Sequence, residues 1–151
     1  MEQEKTLVIL KPDAVQRGFI SKILGRFEEK GIKIVALKML FVEKDRAHKH
    51  YADHKEKPFF SGLVDFITSG PVCVIALEGE DVIEVTRNMV GATDPKKAQP
   101  GTIRHDFGMH IGRNLIHASD SPESAKKELD IFFKKEEIVE WEHNQYTWVY
   151  E

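Results

Sequence analysis

The chain has 151 residues, of which 41% are hydrophobic and 31% are charged, and its formal net charge is −3. This length can close one hydrophobic core but is short for two, so we expect residues 1–151 to form a single domain. The small net charge argues against nucleic acid or an anionic membrane as the main partner, because both usually bind a basic face.

The single cysteine, Cys73, lies in the apolar run of residues 72–77, so an internal disulfide is excluded and the thiol is expected to be buried. The sequence opens without the apolar stretch of a secretion signal. No apolar run approaches the roughly 18 residues that cross a membrane. These features predict a soluble, cytoplasmic protein without a membrane partner.

The first half of the chain alternates predicted strands and helices. Residues 6–10 form an apolar, β-branched run, which indicates a strand buried on both faces or central in a sheet. Apolar residues recur at helical spacing from Ile20 to Phe27, and Gly31 stands where a left-handed helix cap belongs. Residues 32–42 favour a second strand by their β-branched content, and residues 44–54 favour a polar helix.

The middle of the chain continues the alternation. Residues 60–69 predict an apolar helix that the pair Gly70-Pro71 ends. The run at 72–77 predicts a third strand. Asp81 and Gly91 are placed like the N-cap and the C-cap of a helix between them.

Residues 93–102 form the longest predicted loop, and long loops on compact domains are often functional. Leu115 and Ile116 predict a short fourth strand, after which Ser121 as N-cap opens a helix to about Phe133. Four strands interleaved with helices indicate an α+β sandwich, with a mainly antiparallel sheet and helices on one face. The pattern leaves the strand order open.

The sequence lacks several common site motifs, namely GxxxxGK[ST], GxGxxG, HExxH and a paired CxxC. A P-loop is therefore excluded as the means of binding phosphate. The histidines at 48, 50 and 54 suggest either a solvated helical face or a metal site. Their polar setting favours the solvated face, but His50 and His54 share one side of a helix, so the metal alternative stays open.

The most informative segment surrounds His117, an isolated histidine among small polar residues where a strand gives way to a helix. By default such a histidine is a hydrogen-bonded structural residue. Here the small neighbours leave the imidazole accessible, and a nearby carboxylate can orient the ring and stabilise positive charge on it. Glu128, one helix later, is the candidate carboxylate.

The residues NLIHASDS at 114–121 resemble the active-site signature of the nucleoside diphosphate kinases. Further matches lie at residues 6–15, 50–60, 69–72 and 100–107, so the resemblance covers essentially the whole chain. It implies a ferredoxin-like α+β fold with a four-stranded, mainly antiparallel sheet covered by helices.

The resemblance implies a reversible transfer of the γ-phosphoryl group from ATP or another nucleoside triphosphate to a nucleoside diphosphate. The reaction is expected to be ping-pong, with a phosphohistidine intermediate, broad base specificity and Mg²⁺ carried by the nucleotide phosphates rather than by protein ligands. The family also implies a homo-oligomer, a hexamer or a tetramer. The loop around Asp94 and Pro95 and the aromatic C-terminal tail resemble the family's subunit contacts.

The phosphorylated histidine of the family stands where His117 stands. The resemblance implies that His117 attacks through Nδ1, that Glu128 holds the other ring nitrogen, and that Ser119 supports Glu128. Tyr51 stands beside the histidine in the family's site.

The resemblance also implies a nucleotide site drawn from distant parts of the chain. Phe59 is expected to stack on the base, and this contact accepts any base because every base has a π-face. The implied phosphate ligands are Arg87, Thr93 and Arg104. The implied contacts to sugar hydroxyls and phosphate are Lys11 and Asn114, and the remaining implied members are His54, Leu63 and Ile111.

Two positions depart from the usual pattern of the family. Ala118 replaces the more usual glycine, and a positive φ there would cost about 1 kcal/mol. His105 stands where a smaller residue is common. Two other functions remain as alternatives: a nucleotide-binding or scaffold protein that has lost turnover, and a phosphohistidine donor to other proteins.

Overall fold

A computed structural model describes residues 3–151 of the chain. In this part of the chain four strands form one sheet, in the order β2-β3-β1-β4. All three neighbouring pairs are antiparallel, which confirms the predicted antiparallel sheet. The strands are β1 Glu4–Leu10, β2 Lys33–Leu40, β3 Val72–Gly79 and β4 Ile116–Ala118.

Over the same residues the structure has eight helices. They are α1 Pro12–Gln16, α2 Ile20–Lys30, α3 Lys44–His50, α4 Phe60–Ile67, α5 Val82–Val90, α6 Ile103–Phe107, α7 Pro122–Phe132 and α8 Tyr146–Val149. Short 3₁₀ turns lie at Ala52–His54, Ile111–Arg113 and Lys135–Glu137. Within residues 3–151, every helix is too short or too polar to cross a membrane.

Helices cover both faces of the sheet, so the prediction that they lie on one face is wrong. Val8 and Leu10 of β1 belong to a core cluster with α2 and α5, whereas Leu7 and Ile9 belong to a second cluster with α4 and α7. Successive side chains of a strand point to opposite faces, and β1 is apolar at all four positions. Both faces must therefore be shielded from water.

Several element boundaries differ from the sequence prediction. The short helices α1 and α6 were not predicted, because five residues carry too little periodicity to be recognised. The predicted helix at 44–54 is divided into α3 and a 3₁₀ turn. Asp81 precedes α5 but makes no side-chain cap and has φ 51°, a left-handed conformation that aspartate tolerates better than most residues.

Other predicted boundaries are confirmed. Gly31 ends α2 with φ 93°, as a left-handed cap. The Ser121 side chain accepts a hydrogen bond of 3.1 Å from the amide of Ser124 at the start of α7. The predicted fourth strand is present, but Leu115 lies just before it, and β4 is only three residues long.

The C-terminal segment folds back against β2 and the end of α2. The Val139 amide donates to the Val35 carbonyl at 2.8 Å, and Trp141 Nε1 donates to the Ile34 carbonyl at 3.0 Å. Val149 in α8 packs closely against Gly31, where an added Cβ would lie 2.6 Å from Val149 Cγ1. Gly31 thus both ends α2 and, by lacking a side chain, allows the C-terminal segment to pack closely against it.

Gly31→Ala should lower the free energy of unfolding by about 1–3 kcal/mol, because alanine disfavours the left-handed φ and its methyl group would displace Val149. Urea denaturation measures this change. Gly25→Ala is the matched control: it lies inside α2, where an added Cβ meets nothing within 4 Å. Alanine there should be neutral or stabilising by up to about 1 kcal/mol. Equal stability of the two variants would contradict the role given to Gly31.

Candidate active site

His117 occupies the centre of β4, where it pairs with Ile9 of β1. Its side chain is 23% exposed. Just before it, Leu115 has φ 73°, which is strained for a branched residue. The Leu115 amide donates to Asp13 Oδ2 at 3.0 Å, and the Leu115 carbonyl accepts from the Lys11 amide at 2.8 Å. These two hydrogen bonds from the turn after β1 therefore hold Leu115 in its strained conformation, two residues before the histidine.

Asp13 is a site-forming residue that the sequence analysis missed. It lies 102 positions from Leu115, and local spacing gives no sign of their contact. The signal that could have found it is its place directly after the buried strand β1, where polar side chains often enter a site.

A chain of hydrogen bonds anchors the His117 ring. His117 Nε2 lies 2.7 Å from Glu128 Oε1, and Ser119 Oγ donates to the same oxygen at 2.7 Å. The Leu7 amide donates to Ser119 Oγ at 3.4 Å. The structure thus brings together the three residues that the resemblance linked, on β4, the segment after it, and α7.

His50 packs beside the catalytic candidate, contrary to the predicted solvated face of a polar helix. Its ring centroid lies 4.6 Å from that of His117, with the two planes at 88°. It is buried, whereas His48 on the same helix is exposed. Burial, followed by the electrostatic effect of the neighbouring His117, lowers the pKa of His50 to about 2, so its imidazole is uncharged. The reason for the error is that α3 packs against α7, which turns position 50 inwards.

A row of aromatic rings extends from His50 towards the surface. Ring centroids are 4.6 Å apart between His50 and Tyr51, 6.5 Å between Tyr51 and His54, and 5.5 Å between His54 and Phe59. Burial and then Glu128 raise the pKa of Tyr51 to about 12, so its hydroxyl stays protonated. Phe59, at the outer end, is 52% exposed.

The basic side of the site contains the cations Lys11, Arg87 and Arg104, and Asn114 connects its parts. Its Oδ1 accepts from Lys11 Nζ at 3.0 Å, and its Nδ2 donates to the Thr93 carbonyl at 3.1 Å. Burial, followed by the charge of Arg104, lowers the pKa of Lys11 to about 8, although Asp13 acts in the opposite direction. The loop after α5, the end of β1 and the start of β4 are held together by this one amide.

The two arginines of the predicted site differ in their surroundings. Arg104 is buried, and it donates to the carbonyls of Gly91, Asn114 and Ile116 at 3.1, 3.2 and 2.6 Å. Burial, followed by the charge of Arg87, lowers the pKa of Arg104 to about 10. Arg87 is exposed and donates to the Ala118 carbonyl at 3.0 Å. The guanidinium of Arg87 thus stays accessible, whereas that of Arg104 is mainly engaged in hydrogen bonds to backbone carbonyls.

Two predicted members lie apart from these contacts. Leu63 on α4 is partly buried against the second core cluster, and Ile111 is 53% exposed on a 3₁₀ turn. Ala118 is a β4 residue without positive φ, so the strain considered for that position falls on Leu115 instead. His105 lies 3.2 Å from Asp106, on the exposed side of α6.

The family model described as "Nucleoside diphosphate kinase" matches residues 4–138. The chain belongs to the nucleoside diphosphate kinase family. It is therefore an enzyme, a phosphotransferase that acts on nucleotides, and the resemblance drawn from the sequence is confirmed.

Relatives in the family match over nearly their full length. The nucleoside diphosphate kinase of Archaeoglobus fulgidus is 56% identical over 98% of this chain and 98% of that protein. That of Herpetosiphon aurantiacus is 58% identical over 98% and 99%. A solved structure, a halophilic nucleoside diphosphate kinase from Halobacterium salinarum in complex with CDP, has a TM-score of 0.97 at 47% identity, over 99% of this chain and 100% of that one. The ferredoxin-like α+β fold is thereby confirmed.

In this family member, Arg104→Met should lower the free energy of unfolding by at least about 2 kcal/mol, because buried carbonyls would lose their donor. Arg87→Met removes one hydrogen bond from an exposed side chain, and its effect should stay below about 1 kcal/mol. Urea denaturation of both variants tests the contrast. Equal losses of stability would show that the Arg104 hydrogen bonds do not hold this segment.

Proposed function

We propose that His117 carries the phosphoryl group between nucleotides as a phosphohistidine. A nucleoside triphosphate such as ATP phosphorylates His117, the diphosphate leaves, and a second diphosphate takes the group in a ping-pong cycle. The observation that carries this proposal is the 2.7 Å contact between His117 Nε2 and Glu128 Oε1.

This contact selects the nucleophilic atom. An ionised carboxylate can only accept a hydrogen bond, so Nε2 carries the proton and Nδ1 keeps its lone pair. When Nδ1 attacks the γ-phosphorus, the bond to the bridging oxygen breaks and the ring becomes positively charged. Glu128, held in turn by Ser119, stabilises that charge. Tyr51 adds no negative charge to the site, because its hydroxyl remains protonated.

The basic side of the site supplies what phosphoryl transfer requires of a protein, namely alignment and positive charge around the oxygens. Arg87 offers an exposed guanidinium, and three of the five N–H groups of Arg104 already bind backbone carbonyls. We therefore propose that Arg87 makes the larger contribution to phosphate binding. Arg104 contributes only through its two remaining N–H groups. Lys11, Asn114 and Thr93 contact the sugar hydroxyls and the phosphates.

The substrate is proposed to be the magnesium complex of the nucleotide. Lys11, Arg87 and Arg104 give this side of the site positive charge, which suits the anionic phosphate tail rather than a metal ion bound by the protein alone. Mg²⁺ keeps several waters and is commonly held by substrate phosphates, so it enters with the nucleotide.

Phe59 is proposed to stack on the base. Its exposure and its place at the end of the aromatic row fit a platform at the mouth of the site. Stacking is tolerant of base identity, which supports broad specificity. His54, Leu63 and Ile111 complete the rim around it, and the CDP complex of the Halobacterium salinarum relative supports a nucleotide in this fold.

We further propose that the chain is one domain that assembles into a homo-oligomer, a hexamer or a tetramer. Along the edge strand β2 and just beyond it, Leu37, Met39 and Phe41 are 50%, 55% and 69% exposed. An apolar edge of this kind is a template for association. A light-scattering mass equal to one chain would contradict the oligomer. A cytoplasmic location and the absence of a nucleic-acid partner stay predictions of the sequence.

His117→Gln should abolish transfer, with a loss of at least about 10⁴-fold, because the imidazole is the nucleophile. The measurement is incubation with γ-labelled ATP, followed by a test for acid-labile, alkali-stable label that a diphosphate discharges. His48→Gln, an exposed histidine on α3, is the control and should label normally. Labelling of the folded His117→Gln variant would refute the mechanism, and a chain that binds ATP without any label would be a binding protein only.

Lys11 should make nucleotide binding weaken as the pH rises. Its pKa is lowered to about 8, so the cation that contacts the nucleotide is present below that pH and is lost above it. The KM for a nucleoside diphosphate should rise about tenfold between about pH 7.5 and pH 9. Lys11→Met should show a high, flat KM across this range. An equally flat profile in the unaltered chain would remove Lys11 from the binding site.

A further inference from the structure

Three side chains that can bind metal ions meet at the base of the candidate active site. The potential ligand atoms of His50, His117 and Glu128 all lie within 4.8 Å of one another. These residues belong to α3, β4 and α7, so the tertiary fold, not local spacing, creates the cluster.

His50 has no role in the proposed phosphoryl transfer. Its side chain is only 9% exposed, and within residues 3–151 neither Nδ1 nor Nε2 has a hydrogen-bond partner. A buried polar group left without a partner costs about 1–3 kcal/mol, so each one requires an explanation. The ring packs edge-to-face against His117, at 4.6 Å between centroids, and against the core residue Phe132, at 5.4 Å, so it lies between the site and the apolar core.

We propose that His50, His117 and Glu128 form a binding site for Zn²⁺ or a similar divalent transition ion, which inhibits the enzyme by occupying the nucleophile. The inhibition rests on the proposed function of His117. The binding of the ion does not, because it needs no turnover.

The donor set fits this class of ion. Two imidazoles and one carboxylate with an open fourth position are typical zinc ligands, whereas Mg²⁺ prefers oxygen in an octahedral arrangement. With bonds of about 2.0–2.2 Å, tetrahedral ligand atoms lie roughly 3.4 Å apart. The three donors would move together by rotation of His117 and Glu128, which are 23% and 12% exposed.

Binding the ion replaces an existing hydrogen bond. Where Nε2 of His117 is the ligand, the neutral ring carries its proton on Nδ1, which then has no lone pair for attack, and the carboxylate of Glu128 binds the metal in place of the hydrogen bond. The charges of Lys11 and Lys127, which face His50, oppose an added cation. The affinity should therefore be weaker than that of structural zinc centres.

The direct test is calorimetric titration of the full chain, free of nucleotide, with Zn²⁺. We expect one ion per chain at this site, and a visible absorption band of tetrahedral type when Co²⁺ is used as the probe. His50→Phe keeps an aromatic ring against His117 and Phe132 but removes the ligand, and it should weaken binding at least about tenfold. His48→Phe, on the exposed side of the same helix, should bind like the unaltered chain.

Equal Zn²⁺ affinity in His50→Phe and the unaltered chain would mean an adventitious ion only, on surface histidines, and would overturn the proposal. Circular dichroism checks that His50→Phe is folded, and His50→Gln replaces it if it is not. An unchanged affinity in whichever variant folds has the same meaning.

The regulatory half is tested by the rate of phosphoryl transfer at fixed Mg²⁺, with and without Zn²⁺. Each variant is compared with its own metal-free rate. Inhibition should be reversed by a chelator, and its midpoint should rise at least about tenfold in His50→Phe. Binding without inhibition would overturn the regulatory role alone. A chain that never transfers phosphate would refute the proposed function, while calorimetry would still decide the metal site.

Discussion

The hydrogen bond between His117 Nε2 and Glu128 Oε1 is the interaction on which the rest of the site depends. It sets the tautomer of the ring and therefore, in the proposed mechanism, which nitrogen attacks phosphorus. The bond exists only because α7 is fixed against the sheet by buried side chains, Ala125 on one core cluster and Leu129 and Phe132 on the other. Hydrophobic packing thus places the carboxylate that prepares the nucleophile in the proposed mechanism.

Placing cations on the basic side of the site before substrate binds costs free energy. Lys11 and Arg104 are cations held in surroundings that lower their pKa values, and the free energy for this comes from packing elsewhere in the fold. Asn114 and three backbone carbonyls keep these side chains in place before any substrate arrives. Preorganised charge of this kind stabilises a phosphoryl-transfer transition state without further rearrangement.

His50 links the candidate catalytic histidine to the proposed metal site. It is packed tightly enough to remain uncharged, yet its nitrogens face a site that already holds an imidazole and a carboxylate. A nucleophile that is reachable by phosphate is also reachable by a metal ion. The geometry that favours the proposed transfer therefore also creates the position where a bound transition metal stops it.

The sequence by itself determined the four strands, the caps at Gly31 and Ser121, the family, and the identity of His117 as the residue of interest, because these follow from local periodicity, turn chemistry and a contiguous motif. Only the tertiary structure decided that helices cover both faces, that strain falls on Leu115 instead of Ala118, that Asp13 binds the Leu115 amide, and that His50 lies beside the histidine. Such contacts join residues far apart in the chain, and they are set by how amphipathic elements pack around a sheet, which local spacing does not encode.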